Sequence, residues 1–331
     1  MDSLNASQDR GLNASQDLGL YPPYEPYAVH RLPVEAPHVL YVEEAGRHDG
    51  PAVLFLHGGP GFTWSGHNRR FCDPSFWRFV GFDQRGTWRS TPLGALEGNT
   101  TQALVQDIER IRQKLGIERW VILGGSWGSA LALAYALEHR ERCIGLVLWG
   151  IYLGLASENH FNYVTSRKLF PEAWEAMVSF LPQEERGDVM EAYRRRILDE
   201  DPAVHLPALK HWLMHNYATS NLKAVSEEFR RPDAGGEVFL AGARIALNYF
   251  SQTIFLPDGE LLRRAAELGS LPGVLVHGRD DFVCPIENAY DLAAAWPGAR
   301  FQAVEHAGHH PFEPGIARLL AAAMEEMKGL V

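Results

Sequence analysis

Residues 120–139, WVILGGSWGSALALAYALEH, constrain the fold more than any other segment of this chain. The segment begins as an apolar strand, turns at a glycine pair and continues as a helix rich in Ala and Leu. Its turn contains the pattern G-x-S-x-G, which holds a serine hydroxyl clear of the backbone at the N-terminus of a helix. The pattern therefore predicts a strand–turn–helix unit with Ser126 as a nucleophile.

Similar short apolar segments recur along the chain and alternate with helices. The predicted strands include 53–59, 79–86, 144–150, 273–278 and 301–306, and the predicted helices include 100–116 and 316–328. Such alternation is typical of a mostly parallel central sheet flanked by helices, with ligands at the carboxyl ends of the strands. We therefore expect an α/β fold of the α/β-hydrolase type.

The chain divides into three parts. Residues 1–26 are a polar N-terminal extension in which the octapeptide LNASQDRG is followed at once by LNASQDLG. Residues 27–150 and 256–331 form the predicted hydrolase core. Residues 151–255 are helical and rich in aromatic residues, with no intervening buried strand, and we predict that they form an inserted helical lid.

Composition narrows the classes of function. The net charge is −10 and no stripe of Lys and Arg is present, which argues against nucleic-acid binding. Three scattered cysteines predict neither a disulfide framework nor a zinc site. No apolar run reaches the roughly 18 residues of a membrane span. We therefore expect a cytoplasmic protein acting on a small molecule or short peptide, and the oligomeric state stays open.

A serine nucleophile needs a histidine base and an acid that orients it, and on this fold the chain order is Ser, acid, His. The segment HGRDDFVCP offers Asp280 and Asp281 after a predicted strand, and the G-x-x-D spacing favours Asp281. In EHAGHHPFEPG we choose His309 as the base, because Gly308 allows a tight loop before it. Nothing further along the chain completes a metal ligand set around these histidines.

The segment HGGPG, residues 57–61, directly follows the first predicted strand. Its glycines let the backbone approach a substrate carbonyl closely. We expect the N–H groups of Gly59 and Trp127 to form an oxyanion hole, which stabilises the tetrahedral intermediate of acyl transfer.

Four motifs together resemble the prolyl iminopeptidase (prolyl aminopeptidase) family of α/β-hydrolases, from about Tyr27 to the C-terminus. They are HGGPG, FDQRG, GGSWGS and GRxDxVCPxENAxDLxxAWP. The resemblance implies release of an N-terminal proline through an acyl-enzyme and requires no cofactor. It places the triad on Ser126, Asp281 and His309, the residues already chosen from order and spacing.

The resemblance also implies two glutamates in the lid that hold the substrate amine. This sequence has other residues at both positions. Asn216 stands at the first and Ala246 at the second, within patterns that also place Trp212, Tyr249 and Phe250 near the substrate. A buried ammonium without a carboxylate is costly by several kcal/mol. In a rearranged lid, the glutamates available to compensate are Glu227, Glu228 and Glu237.

Two further functions therefore stay open beside the aminopeptidase. One is an esterase or amidase that acts on a neutral acyl substrate. The other is a ligand-binding protein without catalysis, which the presence of all three triad residues disfavours.

A further departure from the family pattern is Trp88, where the family usually has glycine.

Overall fold

The computed structural model describes residues 18–220 and 236–331. Most of the duplicated octapeptide, and both Glu227 and Glu228, lie outside the described residues.

The described residues contain one eight-stranded sheet. Its strands are β1 (Pro26–Pro33), β2 (Val39–Gly46), β3 (Ala52–Leu56), β4 (Arg78–Asp83), β5 (Trp120–Ser126), β6 (Cys143–Ile151), β7 (Gly273–Gly278) and β8 (Ala299–Val304). The spatial order is β1-β2-β4-β3-β5-β6-β7-β8. The strands from β4 to β8 run parallel, and β1 and β2 add an antiparallel edge. The predicted fold, a mostly parallel sheet flanked by helices, is confirmed.

The antiparallel edge was not predicted, because β2 contains two acidic residues. Both are buried, and each is paired with an arginine that lies far away in the sequence: Glu43 with Arg69 at 2.8 Å, and Glu44 with Arg78 at 2.7 Å. Buried charges are tolerated when they are paired and hydrogen-bonded. These partners allow a charged segment to form a buried strand.

Helices cover both faces of the sheet. The described helices are α1 (Thr101–Lys114), α2 (Trp127–Glu138), α3 (Ala156–Tyr163), α4 (Pro171–Ser179), α5 (Val189–Leu198), α6 (Pro202–Ser220), α7 (Gly236–Ser251), α8 (Glu260–Arg264), α9 (Glu287–Ala295) and α10 (Pro314–Met327). As predicted, α1 is amphipathic and buries Leu104, Ile108 and Ile111. Over the described ranges, no helix combines the length and the apolar character that a membrane span needs.

Helices α3 to α8 lie between β6 and β7. Within this segment α3 to α7 enclose an apolar cluster of their own, which includes Met177, Tyr193, Trp212 and Leu247. Two larger clusters fill the space on the two faces of the sheet. The segment thus has a separate core, and the limits 151 and 255 of the lid stay a prediction.

Candidate active site

Ser126 lies on a sharp turn between β5 and α2. Its φ is 55° and its ψ is −130°, a region that residues other than glycine rarely occupy. The surrounding glycines leave no room for a side chain. A Cβ on Gly125 would come 1.9 Å from the Trp149 ring, and one on Gly128 would come 2.1 Å from the Leu56 carbonyl oxygen. This packing explains why the turn requires glycines.

The other two predicted catalytic residues follow neighbouring strands at the same edge of the sheet. Asp281 follows β7, and His309 lies in the loop after β8. The His309 Nδ1 and Asp281 Oδ2 atoms are 2.7 Å apart. The imidazole packs on the backbone of Gly150, at the end of β6. The structure thus joins the predicted base to Asp281.

Asp281 is buried and held at both carboxylate oxygens. Its Oδ1 accepts hydrogen bonds from the Val283 and Cys284 N–H groups, each at 2.9 Å. Burial alone would raise the pKa of this carboxyl. The charge of His309 and the hydrogen bonds from His277 and His309 outweigh burial and hold the pKa well below its usual range. Asp281 is therefore ionised at neutral pH.

The Ser126 hydroxyl lies beside the 281–284 loop. Burial raises the pKa of the Cys284 thiol well above its usual range, while a side-chain hydrogen bond with Ser126 works in the opposite direction. Among the described residues, no hydrogen bond joins Ser126 directly to His309. Catalytic hydrogen bonds are often long before substrate binds and tighten in the complex.

The HGGPG segment reaches over this turn. A Cβ on Gly58 would come 3.2 Å from the Ser126 Cβ, and Gly59 adopts a φ of 136° that favours glycine. Gln84, from FDQRG, ties the two sides together: its Nε2 donates to the His57 carbonyl at 3.0 Å, and its Oε1 accepts from the Trp127 indole at 2.7 Å. The loop and the helix start are therefore fixed relative to each other.

The five predicted substrate-binding residues lie on α6 and α7. Trp212, Ala246 and Tyr249 are buried, whereas Asn216 and Phe250 are half-buried. Trp212 donates to the Tyr163 hydroxyl at 3.1 Å, and the Tyr249 hydroxyl donates to Asn99 at 2.9 Å. The Asn216 amide donates to the Trp212 carbonyl at 2.8 Å. These contacts fix the aromatic rings in place.

Two other positions singled out in the sequence lie away from α6. Glu237 is exposed at the start of α7. Trp88 adopts a φ of 32°, in the region that favours glycine, and its ring lies 4.6 Å from the Arg89 guanidinium, which also stacks on Tyr41 at 3.8 Å. Trp88 thus contacts Arg89, which in turn stacks on Tyr41 of β2.

Sequence reasoning missed Glu313, a buried carboxylate that fixes the His309 loop. It accepts hydrogen bonds from the Gly308 N–H at 2.8 Å and the His310 N–H at 3.3 Å, on either side of His309. A Cβ on Gly308 would come 3.0 Å from a Glu313 oxygen. The only signal in the sequence was a carboxylate four residues after the chosen histidine.

Helix α3 is attached to the loop that carries Asp281. Glu158 accepts hydrogen bonds from the Leu155 N–H at 2.7 Å and from the Asn288 side chain. Asn162 donates to the Val283 carbonyl at 3.2 Å. The loop after Asp281 and the start of α9 are therefore held by residues of the segment between β6 and β7.

Because Glu158 is buried, we expect the free energy of unfolding to depend on pH. Burial raises its pKa to about 8, against opposing hydrogen bonds from Leu155 and Leu153 N–H groups. A carboxyl with a raised pKa binds more protons in the folded than in the unfolded chain, so stability falls as pH rises from the unfolded to the folded pKa. Between pH 6 and pH 9 we expect the wild-type free energy of unfolding to fall by about 2 to 3 kcal/mol more than that of Glu158→Gln.

Urea unfolding of both proteins at several pH values measures this difference. Glu184→Gln, at an exposed position of the same segment, is the control and should follow the wild-type curve. Parallel curves for wild type and Glu158→Gln would contradict the prediction.

Comparisons with known proteins identify the family of this chain. Residues 51–315 match the family model described as alpha/beta hydrolase fold. A proline iminopeptidase of Xanthomonas citri is 45% identical over 92% of this chain and 98% of its own length. A proline iminopeptidase of Arabidopsis thaliana is 42% identical over 94% of this chain and 83% of its own.

Among solved structures, one reported under novel epoxide hydrolases from metagenomes of hot environments aligns with this chain at a TM-score of 0.63. It is 22% identical and covers 92% of this chain and 99% of its own, so it shows the fold alone. The identities to the curated relatives are far higher and extend over more than nine tenths of this chain. This chain is a hydrolase that belongs to the proline iminopeptidase family of α/β-hydrolases.

Proposed function

We propose that this protein is a prolyl aminopeptidase that releases N-terminal proline from short peptides. Ser126 is the nucleophile, His309 the general base and Asp281 the acid that orients the base. The observation that carries the proposal is the 2.7 Å contact of His309 with Asp281, at the sheet edge where Ser126 lies on its turn. The curated relatives named proline iminopeptidase support the choice of substrate.

The reaction has two steps. Ser126 attacks the carbonyl carbon of proline while His309 takes the hydroxyl proton. His309 then gives that proton to the leaving amine, and the acyl-enzyme remains. A water molecule, deprotonated by His309, attacks the acyl carbon. His309 then returns that proton to the departing Ser126 oxygen, and proline is released. Asp281 stays ionised throughout.

The negative oxygen of each tetrahedral intermediate is bound by the N–H groups of Gly59 and Trp127. Trp127 is the first residue of α2, and the first N–H groups of a helix have no partner within it. The helix N-terminus also favours negative charge. Removing one such donor typically costs about 100- to 1,000-fold in rate.

By the resemblance to the family, the recognition of the substrate amine is where we expect this chain to differ. Asn216 offers a neutral amide, and Ala246 is fully buried in the apolar cluster of the lid. Trp212, Tyr249 and Phe250 supply an aromatic environment suited to a pyrrolidine ring. An esterase or amidase acting on neutral acyl groups is the competing function that this lining favours.

One set of assays separates the two functions. We would compare kcat/KM for proline β-naphthylamide, its N-acetylated form and p-nitrophenyl acetate, with Ser126→Ala as the blank. The aminopeptidase requires a free amine, so the unmodified arylamide should be hydrolysed faster than the acetylated one. Preference for the acetylated arylamide or for the ester alone would replace the proposal by the neutral-acyl function.

We also place the protein in the cytoplasm, with short peptides as its partners and neither nucleic acid nor membrane among them. Its three cysteines are buried thiols, which supports a reducing compartment.

A further inference from the structure

His277 is a buried histidine at the end of β7 that the sequence presents as part of an apolar strand. Its side chain is fully enclosed. Its Nδ1 lies 3.0 Å from the Ile151 nitrogen and accepts the backbone N–H there. A nitrogen that accepts a hydrogen bond carries no proton, so the proton of the neutral ring is on Nε2.

The protonated Nε2 faces the acid loop. It lies 2.9 Å from the Cys284 carbonyl oxygen and 3.3 Å from the Asp281 Oδ2. The same Oδ2 atom accepts the hydrogen bond from His309. Asp281 thus has a histidine on each side, one half-buried and one enclosed.

His277 also connects the acid to the strand beside the nucleophile. Ile151, whose N–H fixes the tautomer of His277, is the register partner of Ser126 across β5 and β6. One side chain therefore links the end of β6, the strand next to the serine-bearing β5, to the loop that holds Asp281.

We propose that His277 is a positioning residue for the reaction: its Nε2–H holds the Asp281 carboxylate and its loop so that Oδ2 faces His309. The role rests on the proposed chemistry of Ser126, His309 and Asp281. It does not depend on which acyl group is the substrate.

The test compares His277→Phe, which keeps the ring and removes the donor, with His277→Gln, which keeps an N–H at similar reach. Loss of a hydrogen bond to a charged group corresponds to about 10- to 100-fold in rate. We expect His277→Phe to lower kcat by that factor and to leave KM within about threefold. The acidic limb of kcat/KM should move to higher pH, because Asp281 loses a donor that competes with His309. His277→Gln should recover most of kcat.

His38→Phe is the matched control. His38 is also buried, but its Nε2–H donates to the Glu97 carbonyl oxygen at 2.7 Å, away from the acid loop. Thermal unfolding of every variant identifies losses that come from misfolding. A folded His277→Phe with the kcat and pH profile of His38→Phe would overturn the proposal, and so would equal losses in the Phe and Gln variants.

A second measurement separates this proposal from the choice of substrate. The rate at which a fluorophosphonate labels Ser126 reports the reactivity of the serine without any peptide substrate. We expect labelling of His277→Phe to be slower than wild type by about the same factor as kcat. If wild type hydrolyses no proline substrate but this labelling difference is present, the substrate proposal fails and the role of His277 stands.

Discussion

Ser126→Ala is expected to lower kcat for proline β-naphthylamide by about 10⁴- to 10⁶-fold, with little change in KM. The variant removes the oxygen that forms the acyl-enzyme, and no other side chain occupies the strained position of that turn. A methyl group fits the space that the serine vacates, so the fold should be kept. Steady-state kinetics with purified protein and thermal unfolding together measure the effect.

Ser75→Ala provides the control, because Ser75 is an exposed serine that bonds to Asp73 at 2.7 Å, away from the site. It should retain wild-type rates. Residual activity of Ser126→Ala above about one per cent would mean that the hydrolysis uses another nucleophile, and the proposed mechanism would be wrong.

Asp281→Asn is expected to lower kcat by about 10³- to 10⁴-fold. The Val283 and Cys284 N–H groups require an acceptor at the Oδ1 position, so they orient the asparagine with its carbonyl toward them. The amide nitrogen must then face His309 Nδ1. His309 Nδ1 must then accept a hydrogen bond from the amide, so the imidazole proton moves to Nε2. His309 is left with no free lone pair with which to take the serine proton.

Asp280→Asn is the matched control for this variant. Asp280 is adjacent, half-buried and bonded through its backbone to Ala307 at 2.8 Å. We expect its kcat to stay within about threefold of wild type, since the substitution keeps the side-chain size and leaves the backbone bond to Ala307 in place. Equal losses in the two variants would contradict the assignment of Asp281 as the acid.

Local sequence patterns were sufficient to predict the strands that carry the site. Strand β7 was predicted at its observed limits, and β5 ends at the serine as the turn pattern requires. These strands are apolar because both of their faces are covered, and continuous apolar segments are visible in a sequence. The positions of Asp281 and His309 follow from chain order on this fold.

The contacts that support the site were not predictable from local patterns. Glu43 and Glu44 concealed β2, because the arginines that pair with them lie 26 and 34 residues away. His277 depends on the Ile151 N–H, 126 residues away. A hydrogen bond between groups so distant in sequence leaves no periodicity, and only the fold brings its partners together.

The attachment of α3 to the acid loop has a consequence for protein engineering. An exchange of the segment between β6 and β7 for that of another hydrolase would naturally place its first junction at the end of β6. A junction at Ile151 would discard Glu158 and Asn162, whose bonds to Asn288 and Val283 support the loop beneath Asp281. A chimera joined after Asn162 keeps these bonds, so we expect it to retain more turnover than one joined at Ile151.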